Sequence, residues 1–224
     1  MIEQVKGKSG QAKWTFMVYM AGDNNLDGAA LRDITEMAKA GSTKDVHILV
    51  QLDRIEDQKT RRFRITSGGG FKKDCIETFS ETNTGDPQVL YSFVKWAVDN
   101  YPADRYALIL WNHGSGWWED AKSRAAVPSG RRPHRPLFNH AFPQAHRSIC
   151  YDDTSGGDAL DNRELRIVLA GIRSLLGRKI DLLGMDACLM NMVEVAWQLR
   201  DSVQMIVGSE IEEPFDGWPY AEIL

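Results

Sequence analysis

"KIDLLGMDACLM" (residues 179–190) decides how this chain is built. The run from Leu182 to Met185 is continuously apolar rather than alternating, as expected of a strand covered on both faces. It ends on an acid, Asp186, and two residues later stands a lone cysteine, Cys188. A carboxylate beside a thiol opposes thiolate formation, so either the cysteine is inert or the acid serves something else.

Four more runs share this character: "WTFMVYMA" (14–21), "DVHILVQLD" (45–53), "RYALILWN" (105–112) and "VQMIVGSE" (203–210). Segments of helical spacing separate most of them. Leu26, Ala30, Ile34 and Met37 fall on one face, as do Leu90, Phe93, Ala97 and Tyr101; Asp161 and Glu164 make a capping-box pattern ahead of Leu165, Val168 and Ile172. Strand and helix in alternation imply a mostly parallel sheet flanked by helices. Sites in such sheets form beyond the carboxyl ends of the strands. "RRFRIT" (61–66) and "CIETF" (75–79) read as a small hairpin between the second strand and the next helix.

Residues 1–224 fit one domain, and the last stretch, "DGWPYAEIL", reads as an apolar element with a continuation beyond it. The start lacks the apolar core of a secretory signal, which by sequence alone suggests the cytoplasm, and no run is long enough to span a bilayer. A net charge of −4 argues against nucleic acid as a partner. Three cysteines without a CxxC pair make neither a disulfide framework nor a zinc ribbon. Cys75 and Cys150 read as buried free thiols. Residues 119–148 interrupt the plan as an inserted loop rich in proline and basic residues; its His134, His140 and His146 have no acidic or thiol partners nearby in sequence.

The strand-end rule selects His113, just past "RYALILWN", and Cys188, just past "IDLLGMD". Neighbouring strands would bring imidazole and thiol together, the arrangement of a cysteine nucleophile with a histidine base. The good helix former after Cys188 would place the thiol near a helix N-terminus. The N–H groups of Gly114 and Cys188 are candidate donors of an oxyanion hole.

With these residues in view, the chain resembles the clostripain-like cysteine peptidases of the caspase-like superfamily. The matching stretches are "WTFMVYMAGDNNLD", "ALILWNHGSGW", "IDLLGMDACLMNMVEVA" and "DGWPY". The resemblance implies a caspase-like three-layer sandwich and hydrolysis of peptide bonds after arginine or lysine, with Cys188 as nucleophile and His113 as acid–base. It makes Asp186 and Asp216 the acids that receive the substrate cation, whereas Glu210, Glu212 and Glu213 read as solvated surface. It further implies maturation by a cut in the 119–148 loop. Arg124 and Arg147 lead the candidates, followed by Arg131 and Lys122; Arg132 and Arg135 precede prolines, which should protect those bonds.

The chemistry requires no cofactor. Calcium serves some clostripain-like enzymes, and Asp152, Asp153 and Asp158 in "YDDTSGGD" are hard oxygen donors outside any EF-hand spacing. Asp23, Asn24 and Asn25 read as the turn and N-cap of the first helix. The runner-up is a catalytically silent binding module of the same fold, against which both His113 and Cys188 speak. A nucleotide-binding domain lacks its glycine motif, and an α/β-hydrolase lacks GxSxG.

Overall fold

The computed structural model describes residues 11–117, 147–214 and 216–224, so Lys122, Arg124, Arg131, His134, His140 and His146 lie outside the described residues. In chain order the first elements are β1 (Ala12–Gly22), α1 (Asp27–Ala40), β2 (Val46–Arg54), β3 (Lys59–Arg64), β4 (Cys75–Thr78), α2 (Pro87–Asn100) and β5 (Ala103–Trp111). There follow β6 (Ser148–Asp152), β7 (Asp158–Asp161), α3 (Asn162–Leu176), β8 (Ile180–Asp186), α4 (Val193–Leu199), β9 (Val203–Gly208) and α5 (Tyr220–Ile223).

The five apolar runs are β1, β2, β5, β8 and β9, and they pair in parallel in the order β2, β1, β5, β8, β9. The hairpin β3–β4 extends this sheet antiparallel at the β2 edge, so it belongs to the main sheet and is not a separate appendage. Both faces are covered, which is why the runs do not alternate. On β1, Met17, Tyr19 and Ala21 pack toward α2 and α3, while Val18 and Met20 pack toward α1. Leu108 and Leu110 of β5 repeat the first face, Ile109 and Trp111 the second. The result is a three-layer sandwich. Each large side chain fully buried this way contributes about 1.5–3 kcal/mol, and Phe93 and Ile34 from the facing helices are both 0% exposed.

The helices start where their sequences say. Asp86 caps α2 by accepting from the Gln88 N–H at 2.8 Å, with Pro87 at the first helical position. At α3 the Asp161 side chain accepts from the Glu164 N–H at 2.7 Å and Glu164 accepts from the Asp161 N–H at 3.1 Å, closing the expected box. Three expectations need correction. Residues 151–158, read as an acidic loop after the 119–148 insertion, lie within the β6–β7 hairpin, which forms a second small sheet. Asp23, Asn24 and Asn25 do not cap α1, whose N-cap is Leu26 without a side-chain bond; the Asn24 side chain instead closes a local turn by accepting from the Leu26 N–H. Of the two thiols read as buried, Cys150 is, whereas Cys75 is half-buried on the edge strand β4.

Candidate active site

Strand register builds the site. Trp111 and Asp186 are opposite one another at the ends of β5 and β8, and the Asn112 N–H continues the ladder to the Asp186 carbonyl at 3.2 Å. His113 and Cys188 each stand two residues past that last pair, on adjacent strands at the carboxyl edge of the sheet. The chain segments carrying them touch: a Cβ on Gly114 would come 2.4 Å from the Cys188 carbonyl oxygen. Only glycine fits there.

Gly114 also opposes Ile149 in an isolated antiparallel bridge, flanked by the Ser115 N–H donating to the Ser148 carbonyl at 3.1 Å. In a pair flanked in this way the central residue's own N–H turns away from its partner strand. For Gly114 that direction is away from β6. Ser115 holds the arrangement, since its Oγ accepts from the Ser148 N–H and from the Tyr151 hydroxyl, both at 2.9 Å.

The imidazole has a partner that the sequence marked only as part of the turn before the first helix. His113 Nε2 lies 2.7 Å from Asn25 Oδ1. With Nε2 protonated, the ring donates to that amide oxygen and Nδ1 carries the lone pair. Asn24 anchors the loop behind it by donating to the carbonyls of Ala21 (2.9 Å) and Tyr151 (2.8 Å). Cys188 Sγ is half-buried and accepts from the Glu213 N–H at 3.3 Å. The helix expected directly after Cys188 starts only at Val193, beyond a turn in which Leu189 has φ +64°. That separation removes the helix-end field from the thiol, because the effect fades within the first turn.

The acids are arranged unlike the expectation. Asp186 is 5% exposed, accepting from the Tyr220 hydroxyl at 2.9 Å and the Trp218 N–H at 3.4 Å. Burial lifts its carboxyl to about 8, and Glu213 alongside adds to the rise. Glu213, read as solvated surface, is half-buried, and its Oε1 accepts from Trp218 Nε1 at 3.1 Å. Asp216 is exposed; its neighbour Gly217, with φ +64°, lies against Asp186, where an added Cβ would sit 3.4 Å from both carboxyl oxygens. Of the three acids expected to bind metal, only Asp152 points inward. Asp153 and Asp158 are exposed, and Asp158 accepts from the Asn83 side chain and its own neighbour's N–H.

A parallel sheet between helical layers, with a thiol and an imidazole at the ends of adjacent strands, defines a caspase-like α/β protein. The model of the Clostripain family matches residues 18–224, and the chain belongs to that family. It is 33% identical to clostripain of Hathewaya histolytica over 89% of its own length and spans 39% of that relative. Among solved structures it resembles a secreted cysteine protease of Bacteroides thetaiotaomicron in complex with an irreversible peptide inhibitor, at 26% identity and a TM-score of 0.67 over 94% of this chain and 52% of that one. A second such structure from that organism, iotapain, aligns with a TM-score of 0.72 at 20% identity, over 95% and 56% of the two chains. At that identity the likeness concerns the fold.

Proposed function

We propose that this chain carries the catalytic centre of a cysteine endopeptidase that cuts peptide bonds after arginine and, less readily, after lysine. The observation that carries the reading is the register at the sheet edge, with His113 and Cys188 equally far past the paired residues Trp111 and Asp186. Family membership, and the peptide inhibitor bound by the relative from Bacteroides thetaiotaomicron, support it.

The chemistry follows from the groups present. His113 Nδ1 takes the thiol proton of Cys188, and the sulfur attacks the scissile carbonyl carbon. The charge on that carbonyl oxygen falls to the N–H groups of Gly114 and Cys188. Collapse breaks the C–N bond as His113 returns the proton to the leaving amine, leaving a thioester. His113 then deprotonates a water, which hydrolyses the thioester and frees the thiol. The Glu213 N–H stabilises negative charge on sulfur in between. Thiol and imidazole suffice for these steps, so no cofactor is required.

Specificity rests on Asp186 and Asp216. A substrate guanidinium entering beside Asp186 restores the negative charge that burial and Glu213 suppress, and its planar fork suits a carboxylate better than an ammonium does. Substrates are therefore proteins or peptides with Arg or Lys at the cleaved position. Self-processing within residues 119–148 belongs to the same reading, with Arg124, Arg131 and Lys122 as the preferred positions. Arg147 drops behind them, because Ser148 is 1% exposed and its N–H is committed to Ser115.

Fluorogenic peptides carrying Arg, Lys, Asp or Phe at the cleaved position test the proposal. Arg should exceed Lys, with Asp and Phe near background, and Cys188→Ala should abolish turnover. Cleavage after Asp or Phe above that after Arg would rule out the pocket; undiminished turnover in Cys188→Ala would rule out the mechanism.

A further inference from the structure

The helices α3 and α4 pack side by side over one face of the sheet, and a groove of about 570 Å³ lies between them on the outer surface. Its α3 wall carries Arg163, Arg166 and Arg173, with Ala170 among them; its α4 wall carries Trp197, and Arg200 follows. Positions 163, 166, 170 and 173 recur at helical spacing, so they form one stripe about 15 Å long. The three arginines of α3 are exposed, and Trp197 is 65% exposed.

Helix stability does not account for this stripe. Arg163 stands in the first turn of α3, where the helix dipole disfavours a cation, and Arg166 repels it from one turn further on. Among the described residues no ion pair reaches Arg163, Arg166 or Arg173. Arg173 donates to the Asp201 carbonyl at 3.2 Å. Asp201 is the only acid among the described residues lining the groove, and its exposed carboxylate stands 3.8 Å from Arg200. The Arg200 guanidinium lies over the Trp197 ring, 3.9 Å from its centre, and the rest of that exposed ring is open to a ligand. Tryptophan beside unpaired arginines is the composition of a protein-binding hot spot.

We propose that this groove binds an extended acidic segment of a partner protein, in which carboxylates alternate with apolar side chains. Successive side chains of an extended chain point to opposite sides, and each residue advances about 3.3 Å, so about five residues span the stripe. One side then meets the arginines of α3, whose planar forks suit carboxylates. The other meets Trp197. A nucleic acid or a sulfated glycan carries charge along its whole length and would run past the groove onto a chain of net charge −4, whereas a short acidic segment ends where the arginines end. Asn162, next to Arg163, donates to the Gly116 carbonyl at 3.0 Å, so the groove starts beside the His113 segment. A substrate carrying such a segment would be held next to the cleft; only this last step rests on the proposed peptidase activity.

The test uses the full chain with Cys188→Ala and a fluorescein-labelled peptide, Glu-Phe-Glu-Phe-Glu, read by fluorescence anisotropy at low salt. Saturable binding with a Kd of roughly 10–100 μM is expected, and about 0.5 M salt should weaken it fivefold or more. Adding Arg166→Glu or Trp197→Ala should weaken it about tenfold. Both side chains are exposed, so the variants should keep the parent's melting temperature. Glutamine in place of every glutamate should abolish binding, and the block peptide Glu-Glu-Glu-Phe-Phe should bind several-fold more weakly. No saturation below about 1 mM would overturn the site, as would an Arg166→Glu variant that binds like its parent. Equal binding of the block peptide would overturn the alternation. A short oligothymidylate held more tightly than the peptide, and lost in Arg166→Glu, would overturn the choice of a protein segment. A protein without its thiol gives these readings whether or not the chain is a peptidase.

Discussion

Asn25 and His113 sit 88 residues apart in sequence and 2.7 Å apart in space. If the amide oxygen of Asn25 sets the imidazole's tautomer, Asn25→Ala should lower kcat on an arginine peptide by about tenfold to a hundredfold, part of what acid–base catalysis contributes. KM should barely move, and Asn25→Asp, which keeps an acceptor, should recover most of the loss; steady-state kinetics of the two variants read this directly. Asp186 makes a different prediction. With its carboxyl raised to about 8 it is mostly protonated at pH 7, and a guanidinium beside it should drive the proton off. Calorimetry of an arginine peptide binding to Cys188→Ala, in buffers of different ionisation heat, should show close to one proton released, and almost none when Asp186→Asn is added. The sign for stability follows. A carboxyl raised in the folded state favours folding below its unfolded value near pH 4, and that advantage is lost as pH rises toward 8; Asp186→Asn should flatten urea stability across that window. The places of His113, Cys188 and Asp186 at the sheet edge are legible because each ends or follows an apolar run, which local sequence marks. The Asn25–His113 pair and the burial of Glu213 are not, because they depend on contacts made across the fold. Glu213 looks like any loop glutamate until Trp218 and Asp186 close over it.

Among the elements, the parallel strands were the easiest to read. Burial on both faces leaves an unbroken apolar run, and β1, β2, β5, β8 and β9 all carry one. The β6–β7 hairpin was hidden because its strands are short, its turn is acidic and glycine-rich, and its Cys150 adopts φ +64°, outside the regular strand pattern. The start of α4 was misplaced because "LMNM" has good helix propensity, yet the turn after β8 is pinned instead by the Leu189 N–H to Ile211 and the Asn191 N–H to Ser209. Tertiary bonds outweighed a weak local preference. Ser115 is where the hairpin meets the His113 segment. Removing its hydroxyl takes away the acceptor of the Ser148 N–H, and a buried donor losing its partner costs about 1–3 kcal/mol. Ser115→Ala should show that loss in a urea titration, and it should also lower activity, since Gly114 shares the bridge to Ile149.

At the scale of the whole molecule, the segment between β5 and β6 can be cut without dividing the sheet. β5 stays between β1 and β8 through parallel ladders on both sides, so a chain severed between residues 118 and 146 remains one folded body. His113 and Cys188 would then belong to different pieces and still share one sheet edge. On the proposed specificity the bonds open to cleavage are Lys122–Ser123, Arg124–Ala125 and Arg131–Arg132, while those before Pro133 and Pro136 lack the amide N–H and have a restricted preceding residue. Arg147–Ser148 is the informative exception. It has the right side chain, but a protease must draw several residues into extended form, and Ser148 begins β6 with its N–H and carbonyl both bonded to Ser115. Wild type and Cys188→Ala, expressed side by side and weighed by mass spectrometry, should differ accordingly. Wild type should give two pieces that elute together without denaturant, with the second piece beginning at Ser123, Ala125 or Arg132, and Cys188→Ala should stay intact. A second piece beginning at Ser148 would mean that β6 opens readily and that the ordering of bonds argued from Ser115 is wrong. Intact, fully active wild type would remove self-processing altogether and leave the peptidase reading standing.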